Sequence, residues 1–519
     1  MIVSTMGGSG AETWSAVAAC VVGLVPAGAR WLRVAQREHY IPDSCSRFAI
    51  RWWTSEPANR ALAAVALIGV ALSGLWPLSS LVTVAVAVVA PLHLSVSGRT
   101  SPLVFTRRLK VLGAVWLVVQ AAVIGIGVGV GAPAPFAAAG LVAVPALVDV
   151  ALLATWPIER RLSERFVSMA AQRLRRVAPT IVAITGSYGK TSTKHHVAHL
   201  VSGTRSVVAT PASFNNRGGL ARAVNEQLAE GTDVFVAEMG TYGPGEIRDL
   251  CRWCPPSIAV LTAVGPVHLE RFGSEDAILA AKSEITEHAS TVIVNADDRR
   301  LASLGTVLRA TSDGPAVVRC SIEDPTADVC VRAHDGCVTV FVDGSQIAEG
   351  VALRPGIQPS NLACAVAVAL HLGVPAADVV ARIPTLPPVA NRLTADTSSS
   401  GVYVIDDTFN SNPAGARAAL ALLASAPALG QRVVVTPGMV ELGPRQASEN
   451  ESLARDACEV ATTLVVVGRT NRRALVAGAT GRRPIVVVRT RDEAVEWVRA
   501  HLGPGDAVLY ENDLPDHFP

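Results

Sequence analysis

A short glycine loop carries the clearest chemical signal in this 519-residue sequence. A β-branched run at residues 181–185 leads into T-G-S-Y-G-K-T-S-T at residues 185–193, and a helical pattern follows. Backbone N–H groups of such a loop, with the N-terminus of the next helix, surround phosphate oxygens. Lys190 would contact the outer phosphates of a nucleotide, and the Thr191 hydroxyl would bind Mg²⁺. The predicted nucleotide-binding residues of the loop are Gly186, Ser187, Tyr188, Gly189, Lys190, Thr191 and Ser192.

An α/β fold must position this loop, because β-branched runs alternate with helical stretches from residue 180 onward. The predicted strands cover residues 181–185, 207–210, 234–238, 258–264 and 292–295. The first of them leads directly into the glycine loop. The sequence therefore predicts a sheet from which the nucleotide site projects.

The first part of the chain has a different character. Residues 61–98 and 111–148 contain no charged side chain. Each stretch would form about 57 Å of helix, roughly twice the thickness of a hydrocarbon core, so each is predicted to be a hairpin of two membrane spans. Trp76-Pro77 and the Gly-Ala-Pro stretch at residues 131–133 supply the breaks. Residues 13–29 form a fifth, weaker candidate, which gives an α-helical transmembrane bundle of about five spans.

The basic residues of this part fall on alternate sides of the five predicted spans. The three segments that carry them contain Arg30, Arg33, Arg37, Arg47, Arg51 and Arg60, then Arg99, Arg107, Arg108 and Lys110, then Arg160, Arg161 and Arg165. The opposite side carries no lysine or arginine. Because positive loops stay in the cytoplasm, a multi-pass protein of the cell membrane with cytoplasmic catalytic domains is predicted.

Composition excludes two other classes of protein. Half of the residues are hydrophobic, which is incompatible with a disordered chain. The net charge of only +2 excludes a nucleic-acid binder recognised by bulk basicity, so no nucleic-acid partner is expected.

Further motifs follow the glycine loop. They are F-N-N-R-G-G-L at residues 214–220, A-E-M-G at 237–240, V-G-P-V-H-L-E-R-F-G-S at 264–274, A-K-S-E-I at 281–285, V-N-A-D-D at 294–298, I-D-D-T-F-N-S-N-P at 405–413 and G-M-V-E-L-G at 438–443. Together with the short T-G-x-x-G-K-T loop, this series resembles the Mur ligase superfamily over about residues 178–510. The D-alanyl-D-alanine-adding branch is the most similar.

The resemblance implies a division of the chain. Residues 1–156 would be the transmembrane helical region, and residues 157–178 a juxtamembrane linker helix. Residues 179–390 would form the central P-loop domain that binds ATP, and residues 391–519 a Rossmann-like C-terminal domain.

The resemblance also implies a reaction. Mur ligases phosphorylate a carboxylate with ATP, and an amine then displaces phosphate from the acyl phosphate. Because an anionic carboxylate must approach the γ-phosphate, Mg²⁺ and positive side chains carry much of the catalysis. By resemblance, Lys190, His268 and Lys282 are catalytic. Thr191 and Glu238 would hold one Mg²⁺, and His268 a second ion.

Lys282 matches the lysine that CO₂ carbamylates in several members of the family. Composition adds an independent argument, because the chain has only four lysines, Lys110, Lys190, Lys194 and Lys282. Two of them stand where arginine cannot replace lysine, namely in the phosphate loop and at the carbamylation position.

The remaining nucleotide contacts are also implied by the resemblance. Asn361 matches an asparagine that reads adenine, although Ile357 replaces the histidine of that motif. Arg392 would reach the γ-phosphate from the hinge to the last domain. Asp407 and Asn410 would contact ribose and phosphate.

Two segments depart from the family pattern. The predicted spans occupy the place of the domain that binds the uridine diphosphate sugar, and V-L-Y-E-N-D-L-P-D-H-F-P ends the chain where a K-G-S-R-like segment is expected. We therefore expect a membrane-anchored ligase that joins a small-molecule or lipid-linked carboxylate to an amine in contact with membrane lipid. A D-alanyl-D-alanine-adding peptidoglycan ligase with an added anchor stays open, as does a transporter or membrane regulator with an inactive ligase-like domain.

Overall fold

The computed structural model describes residues 10–96, 102–212, 214–389, 392–409, 411–514 and 518. Arg99 and Asn410, both singled out in the sequence, lie outside the described residues. The chain divides into two units, Met1–Leu162 with Leu514–Pro519, and Ser163–Asp513.

Apolar helices build the first unit. They are α1 (Gly10–Arg37), α2 (Ser44–Ser55), α3 (Pro57–Leu72), α4 (Ser80–Val89), α5 (Arg107–Gly129), α6 (Pro133–Val142) and α7 (Val144–Val177), the last of which continues into the second unit. The predicted helix breaks at Pro77 and Pro133 are confirmed, because α4 and α6 begin at or just after them.

The number of membrane spans agrees with the prediction only in part. Two described helices, α1 and α5, are long and apolar enough to cross a membrane. Helices α6 and α7 add a third span if they count as one, but they are bent by 78° at a short break. Helices α3 and α4 are shorter, so two or three spans are supported by length and composition.

The placement of the first arginines in a loop was wrong. Arg30, Arg33 and Arg37 lie in the last turns of α1, and Arg30 and Arg33 are buried. The guanidinium of Arg30 donates to the carbonyl oxygens of Ala87 at 3.0 Å and Ala90 at 2.6 Å. The last carbonyls of a helix lack partners within it, so the end of α4 stabilises this cation.

Asp149 is the charged residue near the end of the last predicted span. Its carboxylate accepts hydrogen bonds from the backbone of Cys45 at 3.2 Å and of Ser46 at 2.8 Å, and from the Ser46 hydroxyl at 2.6 Å. These N–H groups belong to the first turn of α2 and have no partner within the helix. Asp149 therefore holds α2 against α7.

The second unit contains two sheets. The first sheet comprises β1 (Thr180–Thr185), β2 (Val207–Ala209), β3 (Val234–Glu238), β4 (Ile258–Leu261), β5 (Thr291–Asn295), β6 (Ala316–Ser321), β7 (Val329–His334), β8 (Cys337–Val342) and β9 (Ser345–Ala352). Its helices are α8 (Lys190–Val201), α9 (Arg217–Gln227), α10 (Glu246–Trp253), α11 (Leu269–Phe272), α12 (Glu275–Ser283), α13 (Arg299–Ala310), α14 (Pro359–His371) and α15 (Ala376–Arg382).

The strand order of the first sheet is β2-β3-β1-β4-β5-β6-β7-β8-β9, with β2 to β7 parallel and the last two strands antiparallel. The five predicted strands are confirmed as β1–β5, although β4 ends at Leu261 instead of residue 264. Strand β1 lies between β3 and β4, so their carboxyl ends bring Thr185, Glu238 and Leu261 to one edge. Apolar clusters cover both faces of this sheet.

The second sheet has the order β10-β11-β15-β12-β13-β14, parallel except for the edge strand β10. Its strands are β10 (Thr394–Thr397), β11 (Tyr403–Asp407), β12 (Arg432–Thr436), β13 (Thr463–Val467), β14 (Ile485–Val488) and β15 (Ala507–Glu511). Its helices are α16 (Pro413–Ala424), α17 (Gln446–Val460), α18 (Arg472–Ala479) and α19 (Arg491–His501).

Candidate active site

The glycine loop between β1 and α8 is held by the segment that follows β4. The Ser187 N–H donates to the Ala263 carbonyl at 2.7 Å, and the Ser187 hydroxyl donates to the Gly265 carbonyl at 3.1 Å. Gly189 has φ 79°, and a Cβ there would overlap the Asn361 side-chain oxygen. Glycine at this position thus permits both the turn and the close approach of α14.

Two lysines converge on one carbonyl oxygen of this loop. Lys190 Nζ donates to Gly186 O at 2.8 Å, and Lys282 Nζ donates to the same oxygen at 3.1 Å. Lys190 begins α8, whereas Lys282 lies on α12. The sequence reasoning therefore identified two residues that the fold brings to one point.

The two amines differ in their surroundings. Lys282 is only 4% exposed. Burial, followed by the charge of Lys190, holds the pKa of Lys282 well below the ordinary lysine value. Burial also lowers the pKa of Lys190, but the carboxylate of Glu238 opposes that shift. Lys282 is thus the amine more readily neutral, the form that reacts with CO₂.

Glu238, at the end of β3, accepts hydrogen bonds from three side chains of the site. Its Oε2 accepts from the Thr191 hydroxyl at 3.0 Å and from Lys194 Nζ at 3.0 Å, and its Oε1 accepts from Asn215 at 3.2 Å. Burial opposes ionisation of Glu238, yet Lys194 and Lys190 outweigh it and lower the pKa of this carboxyl. The predicted ligands Thr191 and Glu238 are therefore in direct contact, with the carboxylate ionised.

A cavity of about 270 Å³ opens beside the loop. Of the predicted nucleotide contacts, it is lined by Tyr188, Gly189, Ser192, Asn361, Arg392 and Asp407. Gly186, Ser187, Lys190 and Thr191 are not among the lining residues, so the cavity adjoins the loop on the side of Tyr188, Gly189 and Ser192. Asn410 precedes the described Ser411 and cannot be placed in the cavity wall.

Two charged side chains beside the second sheet line the cavity, Arg392 just before β10 and Asp407 at the end of β11. The Arg392 guanidinium lies 4.4 Å from the centre of the Phe409 ring, which orients it. Burial raises the pKa of Asp407 to about 6, although the Leu393 N–H and the Arg392 charge favour its ionised form. A cation and a partly protonated acid therefore stand together at this wall.

His268 is not among the groups bonded to Glu238. Its Nδ1 is in close contact with the carboxylate of Glu441, from the segment after β12, and its ring packs on Tyr242 at 4.9 Å between centroids. Among the described residues, no group of three or more His, Cys, Asp and Glu side chains is arranged to hold a metal ion.

Two contact residues of the site escaped sequence reasoning. Lys194 is fully buried and donates to the Ala212 carbonyl at 2.6 Å as well as to Glu238, and the sequence motifs gave it no place in the site. The scarcity of lysine in the chain was the available signal, since three of the four lysines lie on α8, which begins in the loop, or on α12. Glu441, within the quoted G-M-V-E-L-G motif, had no local signal pointing to His268.

Comparison with known proteins matches this geometry to one family. Residues 184–369 match the model of the Mur ligase middle domain, and residues 391–510 match the Mur ligase, glutamate ligase domain. The UDP-N-acetylmuramoyl-tripeptide--D-alanyl-D-alanine ligase of Mycobacterium tuberculosis is 35% identical over 361 residues, covering 64% of this chain and 69% of that enzyme. The enzyme of the same name from Bacillus subtilis is 28% identical over 279 residues, covering 53% and 59%.

Solved structures are similar over the same region. MurF from Acinetobacter baumannii superposes with a TM-score of 0.59 at 25% identity, covering 67% of this chain and 77% of that one. The MurF ligase from Thermotoga maritima in complex with ADP superposes with a TM-score of 0.57 at 24% identity, covering 68% of this chain and 80% of that one. This similarity shows that the two chains share a fold. The chain therefore belongs to the Mur ligase family of ATP-dependent, amide-bond-forming ligases.

Proposed function

We propose that this protein is a membrane-anchored ligase that uses ATP to join a carboxylate to an amine through an acyl phosphate, in synthesis of the cell envelope. The observation that carries the proposal is the convergence of Lys190 and Lys282 on the Gly186 carbonyl, beside the Thr191–Glu238 pair. A solved relative in complex with ADP supports the choice of nucleotide.

The described residues fit a magnesium ion. Mg²⁺ prefers oxygen ligands and is bound in proteins by one or two carboxylates together with substrate phosphates. The Thr191 hydroxyl and the Glu238 carboxylate supply such oxygens at the edge of the phosphate loop. When bound there, Mg²⁺ would neutralise charge on the transferring phosphoryl group.

His268 fits a second ion through its other ring nitrogen. Histidines that bind metals usually direct the remaining nitrogen to a carboxylate, which fixes the orientation of the ring. Glu441 provides that carboxylate at Nδ1. We assign Nε2 of His268 to the ligand role, with Glu441 as the positioning residue.

Lys282 is proposed to act as a carbamate. Its neutral amine would attack the carbon of CO₂ and lose a proton, which converts a buried amine into an anionic oxygen ligand. The low pKa imposed by burial and by Lys190 favours the reactive amine, and the product would gain the neighbouring ammonium as a partner.

The remaining residues bind and orient the substrates. Lys190 and Arg392 would stabilise negative charge that develops on the γ-phosphate and on the approaching carboxylate. Ser192, Asn361 and Asp407 line the cavity where the base and ribose would lie. Asn410 keeps its proposed phosphate contact on the family resemblance alone.

The membrane anchor is proposed from the first unit. Helices α1 and α5 satisfy the length and hydropathy of a span, and the bent pair α6 and α7 supplies a third. We retain five passes, with the arginine-rich segments and the ligase domains in the cytoplasm, as the arrangement to test. The proposed domains are residues 1–156, 157–178, 179–390 and 391–519.

A second candidate function is addition of D-alanyl-D-alanine to UDP-N-acetylmuramoyl-tripeptide. The 35% identity to the mycobacterial enzyme with that name supports it. The apolar helices of the first unit instead favour a carboxylate carried on a membrane lipid. Purified full-length protein should be assayed for ADP release with UDP-N-acetylmuramoyl-tripeptide and D-alanyl-D-alanine, and in parallel with a membrane lipid extract and mixed amino acids. A rate that depends on the lipid extract supports the first function, and one that depends on the nucleotide substrate supports the second.

A further inference from the structure

The first unit contains an apolar cavity of about 400 Å³. It lies between α1, α2, α3, α4 and the bend that joins α6 to α7. Trp31 and Trp53 line it, and the hydroxyls of Ser46 and Thr54 are its side-chain oxygens. We call it the Trp31–Trp53 cavity. Because a smaller apolar cavity of about 150 Å³ already admits benzene, this one has room for part of a hydrocarbon chain.

The walls of the Trp31–Trp53 cavity are fixed by specific features. Pro145 stands beside the 78° bend, lines the cavity, and has no N–H to donate to the Leu141 carbonyl, so it favours the break. Asp149 holds the first turn of α2, and Arg30 holds the last turn of α4. The cavity is thus part of the fold and not a gap between loosely packed helices.

Positive charge adjoins this apolar space. Arg30 is 4% exposed, and all of its hydrogen bonds among the described residues go to backbone carbonyls. Two of those carbonyls belong to Ala87 and Ala90, which line the cavity. Arg47 and Arg51, both exposed, directly follow the cavity residues Ser46 and Ile50 on α2. These carbonyls already stabilise the Arg30 cation, so the exposed guanidinium groups of Arg47, which lies 3.5 Å from Asp43, and Arg51 are the charges that favour an anionic head group beside the cavity.

We propose that the Trp31–Trp53 cavity binds one hydrocarbon chain of an anionic, phosphate-bearing membrane lipid, whose head group faces the arginines. The inference rests on the membrane location within the proposed function and not on the ligation reaction. It gives the first unit a lipid-binding role beyond anchoring.

The test uses full-length protein and tryptophan fluorescence. Vesicles of phosphatidylcholine contain a few per cent of phosphatidylglycerol with brominated chains, which quench nearby indoles. We expect saturable quenching in the parent protein and loss of the saturable component when Trp31 and Trp53 are replaced by phenylalanine. Ala63 lines the cavity, so Ala63→Phe should fill it. Ala64 is exposed on the same helix and does not line the cavity, so Ala64→Phe is the matched control.

Exclusion of about two methylene groups by Ala63→Phe should weaken saturable quenching about tenfold. Ala146→Phe, at an exposed lining position, should do the same even if Ala63→Phe folds poorly. Ala64→Phe should match the parent. Equal quenching in Ala63→Phe and Ala64→Phe, or equal quenching by brominated phosphatidylcholine, overturns the inference.

Flotation with the vesicles separates the possible failures. Protein that does not float refutes both the membrane location and the lipid site. Protein that floats without saturable quenching refutes the lipid site alone, and ADP release measured on the same sample reports independently on the ligase.

Discussion

Replacement of Lys282 by methionine separates a chemical role of this amine from a structural one. The side chain is 4% exposed, and within the described part of the chain its amine donates a hydrogen bond to the Gly186 carbonyl at 3.1 Å. Lys190 keeps a donor on that oxygen at 2.8 Å, so the variant leaves no buried acceptor without a partner. Above the ordinary lysine pKa, where this amine is neutral in both the native and the unfolded protein, an unbranched apolar side chain of similar size should change the unfolding free energy by less than about 1.5 kcal/mol.

The pH dependence of stability shows how strongly the charge state of Lys282 affects the unfolding free energy. Burial holds the pKa of Lys282 well below the ordinary lysine value, so between these two values the unfolded chain binds a proton that the native protein lacks. Unfolding free energy from this group therefore rises with pH, by about 1.4 kcal/mol per pH unit, and levels off above the ordinary value. Lys282→Met should lack this slope when both proteins are unfolded by urea in CO₂-free buffer.

Activity should respond far more strongly than stability. Loss of one electrostatic group at a transition state typically lowers kcat by about 100- to 1,000-fold, and we expect this of ADP release by Lys282→Met. In Lys282→Ala, short carboxylic acids such as acetate should restore part of the rate by replacing the carbamate. Lys110→Met, at an exposed position on α5, is the matched control and should behave as the parent. Full activity in Lys282→Met would refute the reasoning.

Three further changes test other groups of the site. Lys190→Ala should lower kcat/KM for ATP at least about 100-fold with an unchanged Tm, and unchanged turnover would remove its phosphate role. Glu441→Gln should raise the Mg²⁺ concentration for half-maximal activity about 10- to 100-fold if Glu441 orients His268, whereas an unaltered Mg²⁺ titration argues against that pair. Asp407, whose pKa burial raises to about 6, makes the native protein bind a proton that the unfolded chain has released. Its contribution to stability therefore falls as pH rises towards 6, and Asp407→Asn should abolish that fall in urea titrations.

Local patterns predicted the elements that carry the phosphate loop. The β-branched runs define β1–β5 because a buried parallel strand needs continuous apolar residues, and the glycines mark the turn before α8. Lys190, Thr191, Glu238 and Lys282 follow from the motifs, and the fold brings them to one sheet edge.

Local sequence patterns did not predict contacts between residues that are far apart in the chain. Nothing in the residues around Glu441 indicates that the segment after β12 would meet His268, since that contact depends on the packing of two separate sheets. Arg30 was placed in a loop because charge usually ends a span, but the free carbonyls of α4 stabilise it inside the bundle. The break at residue 143 and the cavity beside it likewise depend on the packing of several helices.

The most direct test of the ligase account is mass spectrometry of the products formed by full-length protein from ATP, a membrane lipid extract and mixed amino acids. We expect ADP in excess of the enzyme to form only when an amine is present, together with an equal amount of a compound whose mass is that of a carboxylic acid plus an amino acid less one water. Continued ADP formation in the absence of an amine, with no such amide product, would contradict the account.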